Sequence, residues 1–317
     1  MKSFLLKNSN NMQVEVLNWG ARIVSIRVPD SSGTHVNAVL GYTEQDEYLN
    51  DPYNMGSTIG RYANRIANAS FDLDGKAVEL SVNEVESRSH LHGGFVGFDK
   101  KYWQVENATE NSLELTLKSP DGEEGYPGNL TVSSRFELTA NNQLILSYSA
   151  ICDKTTVANL TNHSYFNLTD DQQSIDTHDI TVHAERYAPL DRDHIPEEPY
   201  INQVDNTIYD LRNKTSAEKV KKAICNANYF VNNVSEVKEI ALLTERNTGR
   251  QLRISSDYPS LQVYFAEFLK TPFKPFQGIC CEPHYAPNSP NIGLYASVLL
   301  RPNQEYNHKI IYSFENF

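Results

Sequence analysis

Positive charge is in short supply. Lys and Arg number 28 against 40 Asp and Glu, which leaves a net charge of −12. A nucleic-acid binder needs a basic patch to displace counterions, so nucleic acid is excluded as a partner, and an anionic membrane surface with it. Long apolar runs are missing too. The N-terminal MKSFLLKNSNN holds only three apolar residues in a row before Lys7, where a secretory signal needs about 7–15. No stretch approaches the ~20 apolar residues of a membrane helix. Cysteine is scarce: Cys152, Cys225, Cys280 and Cys281 are too few to staple 317 residues and make no CxxC spacing. They read as reduced thiols, and the expected location is the cytoplasm. Helical periodicity is equally thin. Lys219–Ala223 and Asp46–Leu49 could each hold a turn or two. Without alternating βα units or a GxGxxG turn, a dinucleotide-binding fold is unsupported.

What the chain does have is alternation. Leu113–Leu117 (LELTL), Leu130–Leu138 (LTVSSRFEL) and Leu144–Ala150 (LILSYSA) switch between apolar and polar residues with period two. Turn chemistry separates such runs, at Asp30–Gly33, Asp74–Gly75, Asp121–Gly122 and Asn141–Asn142. Short strands divided by turns at this spacing predict an all-β protein, a large antiparallel sandwich or barrel with few short helices. Neither a repeat nor a linker interrupts it, and one domain over 1–317 is the simplest reading. Proline-rich Tyr187–Pro199, Thr271–Pro275 and Pro283–Pro290 read as surface loops, where functional sites tend to sit.

Four segments could carry chemistry. Gly60–Ile66, GRYANRI, offers two arginines whose donor forks suit ring and hydroxyl oxygens; an exposed strand or turn with solvated arginines is the plain alternative. His90–Gly94, HLHGG, would put both imidazoles on one face if it lay on a strand, but zinc wants a third ligand, and none is evident; a packed or solvated histidine is the plain alternative for His90. Thr161–Leu168, TNHSYFNL, sets His163 among polar groups and aromatics. That suits either a satisfied core histidine or a general acid beside rings that stack on a sugar. Ile279–His284, ICCEPH, places Glu282 between an apolar run and a proline. An inward-facing glutamate is costly unless paired or functional, while a surface glutamate is the alternative. The Glu123–Glu124 and Glu197–Glu198 pairs look like solvated loop charge.

Order and context join these segments. NWGARI at Asn18–Ile23, GRYANRI, FDLDG at Phe71–Gly75, HLHGG, GFDK at Gly97–Lys100, EGYPGNL at Glu124–Leu130, TNHSYFNL, LQVYF at Leu261–Phe265, the Glu282 segment and LRPNQEY at Leu300–Tyr306 follow one another along the chain. In that order the sequence resembles the aldose 1-epimerase, or galactose mutarotase, family over nearly its whole length. The resemblance implies a β-supersandwich, a sugar site in a groove, and no metal or redox cofactor. It implies the activity too: interconversion of the α and β anomers of a free aldose such as galactose or glucose. By the same resemblance Glu282 matches the general base, His163 the general acid and His92 a second histidine near the ring oxygen. Asn64 and Arg65 match the pair that holds sugar oxygens, and Gln262 a substrate contact. The partner implied is a small sugar, bound by a monomer or homodimer.

Three positions depart from the family. Asn226 stands where an Asp usually binds sugar hydroxyls, His284 where Gln is frequent, and Asn303 where glycine follows proline. The last two read as loop details; Asn226 bears on substrate identity. Rival readings are a sugar-phosphate epimerase, which would need cations beyond Arg65, and a non-catalytic sugar-binding module, which would need neither Glu282 nor His163. A glycosidase would want two flanking carboxylates, and only Glu282 stands in such a context.

Overall fold

The alternating segments pair as their pattern requires. The computed structural model describes residues 1–231 and 236–317. Its largest sheet has nine strands in the spatial order Gln104–Ala108, Ser112–Ser119, Leu130–Leu138, Gln143–Cys152, Tyr306–Glu315, Gln251–Ser256, Lys238–Glu245, His178–Val182 and Thr215–Ser216. Every pairing in it is antiparallel. Along Leu130–Leu138 each second residue is buried, as period-two patterning predicts. The Asp74–Gly75 turn has positive φ at both residues and joins Ser70–Leu73 to Lys76–Glu79, the geometry favoured in two-residue hairpins. Helix is confined to short pieces such as Ala217–Val220 and the 3₁₀ segment Gln45–Asn50.

A six-stranded sheet, also antiparallel, carries the chemistry. Its order is Tyr165–Phe166, Ile279–His284, Ser260–Tyr264, Asn226–Phe230, Arg186–Ala188 and Asn202–Gln203. Side chains on a strand point alternately to its two faces. Tyr229, Leu261, Val263, Ile279 and Cys281 enter one buried cluster with Leu115, Val132, Leu146, Ile310 and Tyr312 of the large sheet. Full burial of such a side chain contributes roughly 1.5–3 kcal/mol. The other face of the same strands carries Asn226, Asn228, Gln262, Cys280, Glu282 and His284. The core therefore fixes the register that presents the polar row.

One expected loop is shorter than predicted. Pro283 and His284 belong to the Ile279–His284 strand, with His284 opposite Ser260. The loop begins at Tyr285. Proline is tolerated here because its position needs no amide donor for the ladder to continue.

Candidate functional site

The polar row starts from register. Asn228 lies opposite Gln262, and Gln262 opposite Glu282. Asn228 Nδ2 donates to Gln262 Oε1 at 3.1 Å, and Asn64 Nδ2 donates to the same oxygen at 3.2 Å. Gln262 Nε2 in turn donates to Asn226 Oδ1. The amide of Gln262 is thereby fixed from three sides, with its oxygen filled by two donors.

Asn64 comes from the GRYANRI segment, and its backbone is left-handed, with φ 68°, a conformation asparagine tolerates better than most residues. Its backbone N–H donates to His92 Nδ1 at 3.1 Å, while the His92 N–H donates to the Asn64 carbonyl at 3.2 Å. His92 must then carry its proton on Nε2. Gly93 allows this close approach: a Cβ there would lie 1.9 Å from the Gly60 carbonyl oxygen. HLHGG and GRYANRI are thus two halves of one packed unit.

His163 sits in the turn between Thr161–Asn162 and Tyr165–Phe166, held by its backbone N–H to Ser57 O and by its carbonyl to Gly56 N–H, each at 2.9 Å. Its ring stacks on Tyr165, with centroids 5.0 Å apart, and meets His92 edge-on at 5.4 Å. Its Nε2 lies 3.7 Å from Glu282 Oε2, with side-chain exposures of 7% and 3%. Glu282 Oε2 has no hydrogen-bond partner. Burial pushes the Glu282 carboxyl up to about 8 and the His163 imidazole down to about 4. Burial thus disfavours the charged form of both groups, and with it an ion pair between them. Burial also holds His92 well below its ordinary value, helped by the neighbouring His163 and Arg65.

The structure gathers the expected residues. Asn226, Gln262, Asn64, His92, His163 and Glu282 form a run of direct contacts, and Arg65 adjoins Asn64. Arg65 is itself gripped: Nε and Nη2 donate to the two carboxylate oxygens of Glu84, both at 2.7 Å. Arg65 and Glu84 also border a cavity of about 380 Å³ shared with Arg192, His194 and Phe268.

Other expectations are corrected. Arg61 is not solvated; it is 2% exposed and donates to the carbonyls of Ser119, Pro127 and Gly128. His90 and His92 share no strand face, because the strand ends at Leu91 and His92 turns to φ 52°. His90 is a core histidine with Nδ1 on Ser81 O and Nε2 on the Tyr126 hydroxyl. Glu124 is no solvated charge: it accepts from Ser81 and from the N–H groups of Phe95 and Val96, which tethers the loop after HLHGG. Phe166 packs on Tyr312 in the core. His284 is not a loop detail. It is fully buried, donates Nδ1–H to Tyr285 O at 2.6 Å and leaves Nε2 without a partner; burial takes it down to about 4.

Asn228 and Glu84 escaped the sequence reading. Period two counted from Asn226 would have found Asn228, but nothing local marks Glu84, 19 residues from Arg65. For metal ligation, one group of His, Cys, Asp or Glu donors converges among the described residues: His163, Cys280 and Glu282, with ligand atoms all within 4.8 Å of one another.

The aldose 1-epimerase family model matches residues 2–313. The chain belongs to the aldose 1-epimerase family. Among curated relatives, the galactose mutarotase of Sus scrofa is 35% identical over 96% of this chain and 92% of its own length. The aldose 1-epimerase of Escherichia coli is 33% identical over 98% and 94%. Among solved structures, an aldose epimerase homologue from C. elegans superposes with a TM-score of 0.93 at 26% identity, covering 99% of both chains. A galactose 1-epimerase from Lactobacillus acidophilus gives 0.86 at 25%, covering 98% and 93%. An aldose 1-epimerase fold is thus the architecture around the polar row, and the protein is an isomerase acting on carbohydrates.

Proposed function

We propose that the chain interconverts the α and β anomers of free aldoses, galactose and glucose among them, with His163 and Glu282 exchanging one proton with the sugar. The observation that carries this reading is the 3.7 Å contact between two buried groups that together hold one proton from about pH 4 to about pH 8. Ring opening removes a proton from the C1 hydroxyl and adds one to the ring oxygen. Both oxygens are bonded to one carbon, so an acid and a base close together can serve them at once. Electrons do not move.

In the empty site the proton rests on Glu282, because burial penalises carboxylate and imidazolium alike. A sugar hydroxyl that donates to Glu282 stabilises the carboxylate and shifts the proton to His163. Glu282 then serves as base toward the C1 hydroxyl, and His163 as acid toward the ring oxygen. Closure reverses both transfers. His92, with its proton on Nε2, is an added donor beside the ring oxygen. Asn64, Arg65, Gln262 and Asn226 hold the remaining hydroxyls.

A core cluster that draws residues from Leu6 to Phe314 supports one domain over the chain. The four unpaired cysteines support a reducing compartment such as the cytoplasm. Polarimetry or NMR on freshly dissolved α-galactose and α-glucose tests the activity. Accelerated equilibration is the expected result, and folded protein that leaves the spontaneous rate of all common aldoses unchanged defeats it.

A further inference from the structure

Three buried donors of different softness meet at one point of the polar row. Cys280 and Glu282 are two residues apart on the Ile279–His284 strand and so share one of its faces. His163 reaches the same point from the turn on the neighbouring chain segment. Cys280 Sγ lies 3.7 Å from His163 Nδ1, and Glu282 Oε2 lies 3.7 Å from His163 Nε2. With one imidazole nitrogen taken per ion, all three donor atoms fall within 4.8 Å of one another. A tetrahedral ion with bonds of about 2.0–2.3 Å holds its donors roughly 3.3–3.8 Å apart, so closing the set takes side-chain shifts of about 1 Å or more and a turn of the His163 ring that brings one nitrogen between Cys280 and Glu282. Glu282 Oε2 is unpartnered and its residue 3% exposed.

We propose that Cys280, His163 and Glu282 form a binding site for a thiophilic dication of the zinc class, which acts there as a reversible inhibitor and not as a cofactor. Thiolate, imidazole and carboxylate together are a set that zinc accepts, with water in the fourth position. Charge favours the same ion. One dication displaces a proton from Cys280 Sγ and the proton shared by Glu282 and His163, both passing to solvent. Two anions then face two positive charges, and the buried site ends neutral, as burial demands. Magnesium and calcium seek six or more oxygens, and this set offers a single carboxylate. Inhibition follows because the ion occupies both groups that would move protons; that consequence rests on the proposed function, whereas binding does not.

The test uses the whole protein with Zn²⁺ and Co²⁺ as probes. Co²⁺ should produce a near-ultraviolet thiolate-to-cobalt band that Zn²⁺ abolishes and excess sugar diminishes. This readout needs no activity, so it stands even if the chain proves to act on other sugars. In the anomer assay Zn²⁺ should inhibit, chelator should restore the rate, and Mg²⁺ or Ca²⁺ should do nothing. Measured against its own uninhibited rate, Cys280→Ser should need at least ~10-fold more free Zn²⁺ for half inhibition, as losing a ligand costs no less than losing a ligand's support. A wild-type protein without the cobalt band overturns the proposal, whether or not the variant folds. So does equal Zn²⁺ sensitivity in Cys280→Ser.

Discussion

His163 Nε2 and Glu282 Oε2 lie 3.7 Å apart, and burial drives their proton affinities in opposite directions, to about 4 and about 8. Each group taken alone would be in the wrong state for a fixed acid or base. On the proposed mechanism the two groups together hold the one proton that the reaction needs.

The first prediction is a pH profile. kcat/KM reports the free enzyme. It should be flat from about pH 5 to 7 and fall above about pH 8, where the pair loses its proton. On the acid side it falls as the second proton is gained near 4. The measurement is the anomer rate less the spontaneous rate at each pH. A rate still rising through pH 9 would remove the shared proton from the mechanism.

Glu282→Gln should separate activity from stability. kcat should drop by roughly 10² or more as the proton acceptor is lost. Stability should move the other way. The folded pKa of Glu282 is raised, so its contribution is fully present below about pH 4.5 and is lost as pH rises toward 8. An amide escapes that loss. The variant should match the parent near pH 4.5 and gain roughly 1–3 kcal/mol by pH 8, read as a rising difference in Tm. A constant difference across that range would contradict the burial argument.

Glu84 should matter through Arg65. Without its carboxylate the guanidinium loses both charge-assisted bonds that aim it. Glu84→Gln should raise KM about 3–10-fold, on the scale of 1 kcal/mol of lost positioning, with a smaller effect on kcat. Arg65→Ala should cost more. In Arg65→Ala the second substitution should then do little, and strictly additive effects would show that the two act separately.

Asn226→Asp tests the departure from the family. A carboxylate can still accept from Gln262 Nε2 and offers a second oxygen to the sugar. Charge-assisted bonds exceed neutral ones by about 1 kcal/mol, so kcat/KM on galactose or glucose should rise about 3–20-fold. A fall would assign Asn226 to a different sugar.

The strand pattern was legible from sequence because period-two alternation is local. The ordered strings pointed to Asn64, Arg65, His92, His163, Gln262 and Glu282, and a departure from the family pointed to Asn226; the structure brings these residues together. What stayed hidden is tertiary. Arg61 and Arg65 share one heptapeptide, yet only distant carbonyls at Ser119, Pro127 and Gly128 make the first structural. His284 was taken for loop because prolines flank it, while pairing with Ser260 extends the strand. The proton inventory was hidden too. Unperturbed values put Glu below His, and burial reverses that order.

The six-stranded sheet has one further consequence. Ile279–His284 gives alternate residues to the two faces of the sheet, so Cys281 joins the core cluster of Tyr229 and Leu261 while Glu282 faces His163. Deleting or inserting one residue there would exchange the two sets, burying the carboxyl in the hydrophobic layer and emptying the polar row of its chemistry. This strand can drift by replacement but not by change of length, and each replacement answers to only one of its two surfaces. The apolar layer and the reactive layer can therefore evolve separately in composition while staying locked together in count.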